Sequence, residues 1–137
     1  MFHSKLLTLS LSLLLLVLVG CGSNKDGLGT VTGTLLIDGK PAPAGVRLEF
    51  DPVTKGVRGS TAITNESGQF EAIYSISKNG VRQGECVVKL MPPDAPPPTP
   101  GKKPKLPFPE KYYEEIIQVD IGPGDHSFEL EISRNDG

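Results

Sequence analysis

Two patterns of apolar and polar residues divide this chain. Residues 6–19 are almost uniformly apolar, interrupted by one threonine and two serines. From residue 28 onward, apolar and polar residues alternate with a period of two, as in 46–51, where valine, leucine and phenylalanine alternate with arginine, glutamate and aspartate. Successive side chains of a β-strand point to opposite faces, so this alternation predicts half-buried strands. We therefore expect a short apolar leader followed by an all-β domain.

The alternating part contains seven segments of this kind, each bounded by turn residues. They are 30–37, 46–51, 60–64, 69–76, 83–91, 115–121 and 126–133. Asp38-Gly39 and Ser67-Gly68 are predicted to form tight turns, and Gly33 to mark a bulge or a close approach of another backbone. Because each strand has one apolar face, we expect two packed sheets, a seven-stranded antiparallel β-sandwich over residues 28–137.

Residues 92–110 interrupt the alternation. Nine of these nineteen residues are prolines, which lack the backbone donor that a sheet requires. The segment is predicted to be an exposed, semi-rigid loop of polyproline II character. Aromatic and basic residues at its end suit docking in a groove of a partner, and the candidates are Phe108, Lys111, Tyr112 and Tyr113. The alternative is a spacer loop that its lysines keep soluble.

The apolar run near the start has the layout of a secretory signal, with Lys5 before it and a small residue, Gly20, after it. A membrane-spanning helix needs about 20 apolar residues, so the run is shorter than a transmembrane anchor requires. Leu18-Val19-Gly20-Cys21 resembles the lipobox of bacterial lipoproteins. This resemblance implies removal of residues 1–20, a diacylglyceryl thioether on Cys21 and acylation of the new amino terminus. A free cysteine at an ordinary signal junction is the alternative.

Residues 21–27 are small and polar, which suits a flexible tether between lipid and domain. In lipoproteins of this kind, an aspartate directly after the lipidated cysteine favours retention at the inner membrane. Gly22 and Ser23 stand at these positions, so the resemblance favours the outer membrane. The expected location is the cell envelope, with membrane lipid contacted through Cys21.

Strand register also assigns individual residues to the core. Phe70 and Ile76 share the apolar face of 69–76, and Cys86 shares that of 83–91. If Cys21 carries lipid, Cys86 has no partner within the chain, and burial predicts an inert structural thiol. A disulfide between the two cysteines is the rival interpretation, against which the lipobox argues.

Composition and charge point away from several functions. Lys and Arg number 14 against 16 Asp and Glu, a net charge of −2, which does not favour nucleic-acid binding. His3 leaves with the predicted signal, and His126 is expected to be a solvated turn residue. No spacing of His and Cys suits a metal, and the acids are scattered. We therefore expect no catalysis, no metal and no cofactor.

Three segments resemble carboxypeptidase-regulatory-like domains. They are the opening 29–35 with Asp38-Gly39-Lys40-Pro41, the turn Thr64-Asn65-Glu66-Ser67-Gly68-Gln69-Phe70, and the strand start Gly84-Glu85-Cys86-Val87-Val88, where Cys86 replaces an aromatic residue. The resemblance implies a transthyretin-like (prealbumin-like) sandwich. Phe108-Pro109-Glu110-Lys111-Tyr112 is similar to a segment of small envelope lipoproteins from planctomycete-like bacteria.

Together these features predict an exported, lipid-anchored β-sandwich module of the cell envelope with a non-catalytic binding or structural role. Its expected partner, beyond membrane lipid, is an envelope protein or a cell-wall component. Two alternatives are a transthyretin-like hydrolase and a carrier of a small ligand.

Overall fold

The structure is a computed structural model that describes residues 27–94, 99–102 and 105–135. Within these ranges the chain forms eleven β-strands and one short 3₁₀ helix, Glu110–Tyr113. The strands are β1 (Leu28–Ile37), β2 (Lys40–Pro41), β3 (Arg47–Pro52), β4 (Ser60–Ile63), β5 (Gln69–Glu71), β6 (Ile73–Ser75), β7 (Lys78–Asn79), β8 (Val81–Arg82), β9 (Gly84–Leu90), β10 (Ile117–Ile121) and β11 (Asp125–Ile132). The predicted all-β class is confirmed.

The first sheet is built around β1. Along one edge β1 pairs in parallel with β11, from Thr30 opposite Asp125 to Ile37 opposite Ile132. Along the other edge three short strands pair antiparallel with it in succession: β8 at its start, β5 in the middle and β2 at its end. Both edges of β1 are therefore hydrogen-bonded.

The second sheet has the strand order β10-β9-β3-β4-β6-β7, and every pair in it is antiparallel. Residues on its inner face, such as Leu48 and Phe50 of β3 and Val88 of β9, are fully buried. They pack against inward residues of the first sheet, such as Val31 and Leu35. The sandwich arrangement of two sheets is thus the one that the alternation predicted.

Three features of the prediction are wrong. The described residues form eleven strands and not seven, because β2, β7 and β8 are two-residue strands in segments predicted as turns or loops. The sandwich is not antiparallel throughout, because β1 and β11 run in the same direction. The segment predicted as one strand over 69–76 is two strands: β5 belongs to the first sheet and β6 to the second. The chain changes sheets at Ala72, which is buried and donates its backbone N–H to the carbonyl of Val31 at 2.9 Å. After this change Ile76 lies in the next turn, fully exposed, and does not share the buried face of Phe70.

The strand registers show at which end of the sandwich each described connection lies. We call the two ends the Leu28 end and the Ile37 end, after the first and last residues of β1. The Leu28 end holds Gly27 and the connections 53–59, 76–77, 83 and 122–124. The Ile37 end holds the turn 38–39, residues 42–46, the turn 64–68 and the described residues between β9 and β10. At about 3.3 Å per residue, the ten residues of β1 separate these ends by about 30 Å.

Gly33 permits the closest approach within the first sheet. It pairs with Phe70 of β5 on one side and Phe128 of β11 on the other. A Cβ at this position would overlap the carbonyl oxygen of Phe128 and lie 2.6 Å from Cζ of Phe70. The predicted close approach at Gly33 is confirmed.

We expect Gly33→Ala to lower the free energy of unfolding by about 2 kcal/mol or more, because an added methyl group has no room and the neighbouring strand must move. Gly122→Ala is the matched control, since a Cβ there meets nothing within 4 Å. Urea unfolding followed by circular dichroism measures both variants. Equal unfolding midpoints for the two would contradict the close packing at Gly33.

Candidate functional site

The predicted docking residues lie at the Ile37 end, where the described residues after the proline-rich stretch form the 3₁₀ helix. Pro109 precedes this helix, and its carbonyl accepts the N–H of Tyr112 at 3.1 Å. The backbone carbonyl of Lys111 accepts the N–H of Glu115 at 3.0 Å. These bonds form one tight turn in which neighbouring side chains point in different directions.

Tyr112 points into the sandwich and is only 8% exposed. Its hydroxyl accepts the backbone N–H of Ser133 at 3.1 Å, just after β11. Tyr112 is therefore a core residue, and its prediction as an exposed docking residue is wrong. Lys111 is exposed, and its ammonium lies 5.0 Å from the centre of the Tyr112 ring.

Phe108 and Tyr113 are half-buried and pack against the edge of the core. Together they line an apolar cavity of about 320 Å³ at the Ile37 end. The other lining residues come from the segments before β3 and after β9: Pro43, Ala44, Gly45, Val46, Arg47, Leu90, Met91, Pro93, Asp94 and Pro107. We call this space the Phe108 pocket. Three segments that are far apart in sequence meet at its wall.

The Phe108 pocket is apolar inside and charged at its rim. An ion pair between Arg47 and the exposed Asp94 crosses the rim, and the guanidinium of Arg134 lies 5.7 Å from the ring centre of Phe108. Partial burial raises the pKa of the Tyr113 phenol above its ordinary value, and a backbone hydrogen bond from Phe108 opposes this. The phenol is thus neutral at physiological pH, as suits contact with an apolar group.

A second, more open groove of about 490 Å³ lies over β1 and β5. It is lined by Thr32, Gly33, Thr34, Ile63, Asn65, Gln69, Phe70, Glu71 and Ser127. Two of its polar groups are bonded within the protein: Asn65 Oδ1 accepts two backbone N–H groups at 2.9 and 3.0 Å, and Glu71 accepts Asn79 Nδ2 at 2.6 Å.

His126 has a structural position. One of its ring nitrogens, Nε2, lies 2.9 Å from the carbonyl oxygen of Gly122, and the ring stacks on Phe128 with an angle of 4° between the planes. His126 is half-buried within the first residues of β11, so it is a strand residue and not the solvated turn residue that the sequence predicted.

Metal sites and membrane-spanning helices can be sought only among the residues that the structure describes. No three side chains of His, Cys, Asp or Glu gather there as metal ligands would. No helix in those ranges is long and apolar enough to cross a membrane. Cys21, the predicted signal 1–20 and nearly all of the tether 21–27 lie outside the described residues, so the lipidation site stays a prediction.

Cys86 is 1% exposed on the inner face of β9, which confirms its predicted burial. Removal from water raises the pKa of its thiol to about 11, and the negative charges of Asp51 and Asp120 add to this effect. A protonated, inaccessible thiol is a poor nucleophile and a poor metal ligand. Cys86 therefore acts as a small core residue.

The raised pKa of Cys86 predicts a specific loss of stability in alkali. The thiol contributes fully below the unfolded-state pKa near 9.0, and the contribution is lost as the pH rises toward about 11. Compared with Cys86→Ala, the natural protein should lose of the order of 2 kcal/mol of unfolding free energy over this range. Denaturant unfolding at a series of pH values measures the difference. Curves that stay parallel from neutral pH to pH 11 would contradict the assignment.

Comparison with models of protein families finds no match for this chain, and comparison with curated proteins also finds none. Its function has to be argued from its own residues. Those that converge at the Ile37 end around Phe108 and Tyr113 form a surface pocket with an apolar interior.

Proposed function

We propose that this protein is a lipid-anchored binding module of a bacterial cell envelope, without catalytic activity of its own. In this proposal the export signal 1–20 is removed, Cys21 carries the lipid, and residues 21–27 connect it to the sandwich. The Phe108 pocket at the Ile37 end takes the partner. The outer membrane is the favoured location.

One observation carries the proposal: the chain enters the sandwich at one end, and the Phe108 pocket opens at the other. Gly27 precedes β1 at the Leu28 end, whereas Phe108 and Tyr113 lie at the Ile37 end. The six residues that follow Cys21, 22–27, span at most about 20 Å when extended. The anchored domain would thus hold its Leu28 end near the bilayer and its pocket about 30 Å further out.

The pocket favours a partner with an apolar group and nearby charge. Its interior is lined by Val46, Leu90 and Phe108, and its rim carries Arg47 and Asp94 as an ion pair. An extended peptide of an envelope protein, or a cell-wall component with an apolar substituent, has this combination. Of the four predicted docking residues, Lys111 is the one whose side chain is exposed.

The absence of catalysis in this proposal rests on how the reactive groups are used. The Nε2 atom of His126 lies at hydrogen-bond distance from a carbonyl oxygen, and Cys86 is a buried thiol with a raised pKa. Neither is arranged as a general base or an activated nucleophile would be. These positions favour a binding module over the hydrolase alternative.

We further propose that the domain is a member of the carboxypeptidase-regulatory-like group with a transthyretin-like fold. Support comes from the motif positions, which form tight reversals: Asp38, Gly39 and Gly68 all have positive φ, at 53°, 80° and 74°. The two packed sheets are a second point of agreement. Relation to envelope lipoproteins of planctomycete-like bacteria is part of the same proposal.

A carrier of a small apolar ligand is the second candidate function. The Phe108 pocket, at about 320 Å³, lies at the lower limit of common ligand pockets, which begin near 300 Å³. A saturable rise in melting temperature with one small molecule, abolished by Phe108→Ala, would favour the carrier over the docking module.

Lipid attachment is tested by metabolic labelling. Labelled fatty acid should enter the natural protein expressed in a Gram-negative host and should not enter Cys21→Ala, because the thioether needs the Cys21 sulfur. Cys86→Ala is the control, and it should be labelled like the natural protein since its thiol is buried. Equal labelling of the Cys21→Ala protein would refute the anchor.

Partner docking is tested with a photo-crosslinking amino acid placed at position 111, beside the Phe108 pocket, or at position 55, at the Leu28 end. We expect specific protein or cell-wall adducts at position 111 only, reduced about tenfold by Tyr113→Ala because one wall of the pocket is removed. Matching adducts at both positions, or adducts unaffected by Tyr113→Ala, would mean that the Ile37 end is not the docking surface.

A further inference from the structure

Two connections lie side by side at the Leu28 end. Residues 53–59 connect β3 to β4, and residues 76–77 connect β6 to β7. Phe50 of β3 pairs with Ser60 of β4, and Thr61 of β4 pairs with Ile73 of β6, so both connections project beyond the same end of adjacent strands. This is also the end where Gly27 leads into β1.

Each of the two connections carries an apolar side chain that the fold leaves in solvent. Ile76 is fully exposed at the tip of its turn, with a relative exposure of 108%, and Val53 is 51% exposed at the start of the other connection. Ile76 therefore contributes nothing to the core, and about half of the Val53 side chain is also left in solvent.

Cations surround these two apolar residues. Lys55, Arg58 and Lys78 are exposed, and Arg82 is half-buried. The guanidinium carbons of Arg58 and Arg82 lie 5.3 and 5.4 Å from the ring centre of Tyr74. Nη2 of Arg82 also donates to the Tyr74 hydroxyl at 2.9 Å. One tyrosine therefore holds two cations in place beside the exposed Ile76 turn.

Three acids described at this end lie away from these cations. Glu85, Asp120 and Asp125 are on β9, β10 and β11, across the second sheet from β6 and β7 or in the other sheet. Asp51 is paired with Lys89, whose Nζ lies 3.1 Å from its carboxylate. Glu71 is nearer, and its carboxylate accepts Nδ2 of Asn79, the neighbour of Lys78, at 2.6 Å. Among the described residues, the Leu28 end thus has a side rich in cations with exposed aliphatic residues and another side with three acids. We call the former the Ile76 corner, made up of Val53, Lys55, Arg58, Tyr74, Ile76, Lys78 and Arg82.

We propose that the Ile76 corner docks on an anionic bilayer surface, namely that of the membrane holding the Cys21 lipid; this inference rests on the anchoring proposed above. A tether of at most about 20 Å keeps the Leu28 end within two to three Debye lengths of the headgroups. Cations near an anionic surface are attracted to it, and aliphatic side chains between them enter the headgroup region. Lipid attachment would then be combined with a second membrane contact, which fixes the orientation of the domain and points the Phe108 pocket away from the membrane.

The test places an environment-sensitive fluorophore on Ile76→Cys or, as the control at the opposite end, on Lys40→Cys. Cys86 is buried and does not compete for the label. The full chain is reconstituted in vesicles of phosphatidylcholine alone or mixed in equal parts with phosphatidylglycerol, with brominated acyl chains as quencher. We expect about threefold or greater quenching at position 76 relative to position 40, in the anionic vesicles only.

Charge reversal separates docking from mere proximity. Lys55→Glu with Lys78→Glu should remove the excess quenching at position 76, whereas Lys102→Glu with Lys105→Glu, the same change in charge between β9 and β10, should leave it intact. Both pairs are exposed, so loss of folding is not expected, and circular dichroism checks it. Equal quenching at positions 76 and 40 would overturn the proposal. So would quenching at position 76 that changes neither with the charge of the lipid nor with Lys55→Glu and Lys78→Glu.

Failure of the anchor and failure of the docking have different signatures. Acylated protein with no excess quenching at position 76 leaves the anchor standing and removes the docking. If the chain is not acylated, the same labels are read on Cys21→Ala protein mixed with the same vesicles. Excess quenching at position 76 there supports docking without the lipid, and its absence overturns docking.

Discussion

The pairing of β1 on both edges is the constraint on which the remaining structure depends. Its ten residues pair in parallel with β11 on one side and with three short antiparallel strands on the other. Even between these strands the ladder continues, since the N–H of Leu35 is bonded to the carbonyl of Gly68 at 2.8 Å, and the carbonyl of Leu35 accepts the N–H of Ala42 at 2.9 Å. Buried backbone groups need partners of this kind, and β1 has them along its length. Gly33 makes the arrangement sterically possible, because the two flanking strands leave no room for a side chain there.

The Ile37 end is closed by a small set of polar contacts that join distant parts of the chain. The backbone N–H of Ser133 is bonded to the hydroxyl of Tyr112 at 3.1 Å, and the hydroxyl of Ser133 donates to Asp38 at 2.9 Å. On the opposite side of this end, the buried hydroxyl of Thr64 donates to the carbonyl of Pro43 at 2.7 Å and accepts the N–H of Val46 at 3.0 Å. These contacts hold the walls of the Phe108 pocket in fixed positions. The proposed docking surface is thus built on a rigid scaffold, as binding surfaces commonly are.

Local sequence accounts for the strands and for part of the site. Alternation placed Leu48, Phe50 and Val88 on inward faces because burial of one face leaves a period of two in the sequence. The same period could not show that the chain changes sheets at Ala72, since the alternation is identical whichever sheet a strand joins. Nor could it show that β1 and β11 are parallel, because that pairing joins residues about a hundred positions apart. At the site, composition indicated the aromatic residues of the proline-rich segment. It could not show that Tyr112 points inward, because the residue that its hydroxyl bonds, Ser133, lies far along the chain. The walls supplied by Val46 and Leu90 had no local signal beyond that of ordinary strand residues.

The parallel pairing of β1 with β11 also has a consequence for the time at which the domain can fold. β1 is the first strand of the described chain and β11 the last, so one full edge of the central strand stays unpaired until the final strand is available. Contacts of such long sequence separation form slowly, because loop-closure entropy is lost before they stabilise anything. Because the chain is synthesised from its amino terminus, it stays unfolded or loosely collapsed until synthesis is nearly complete. If the protein is exported as proposed above, this delay would keep the polypeptide in the unfolded state that can pass through a membrane.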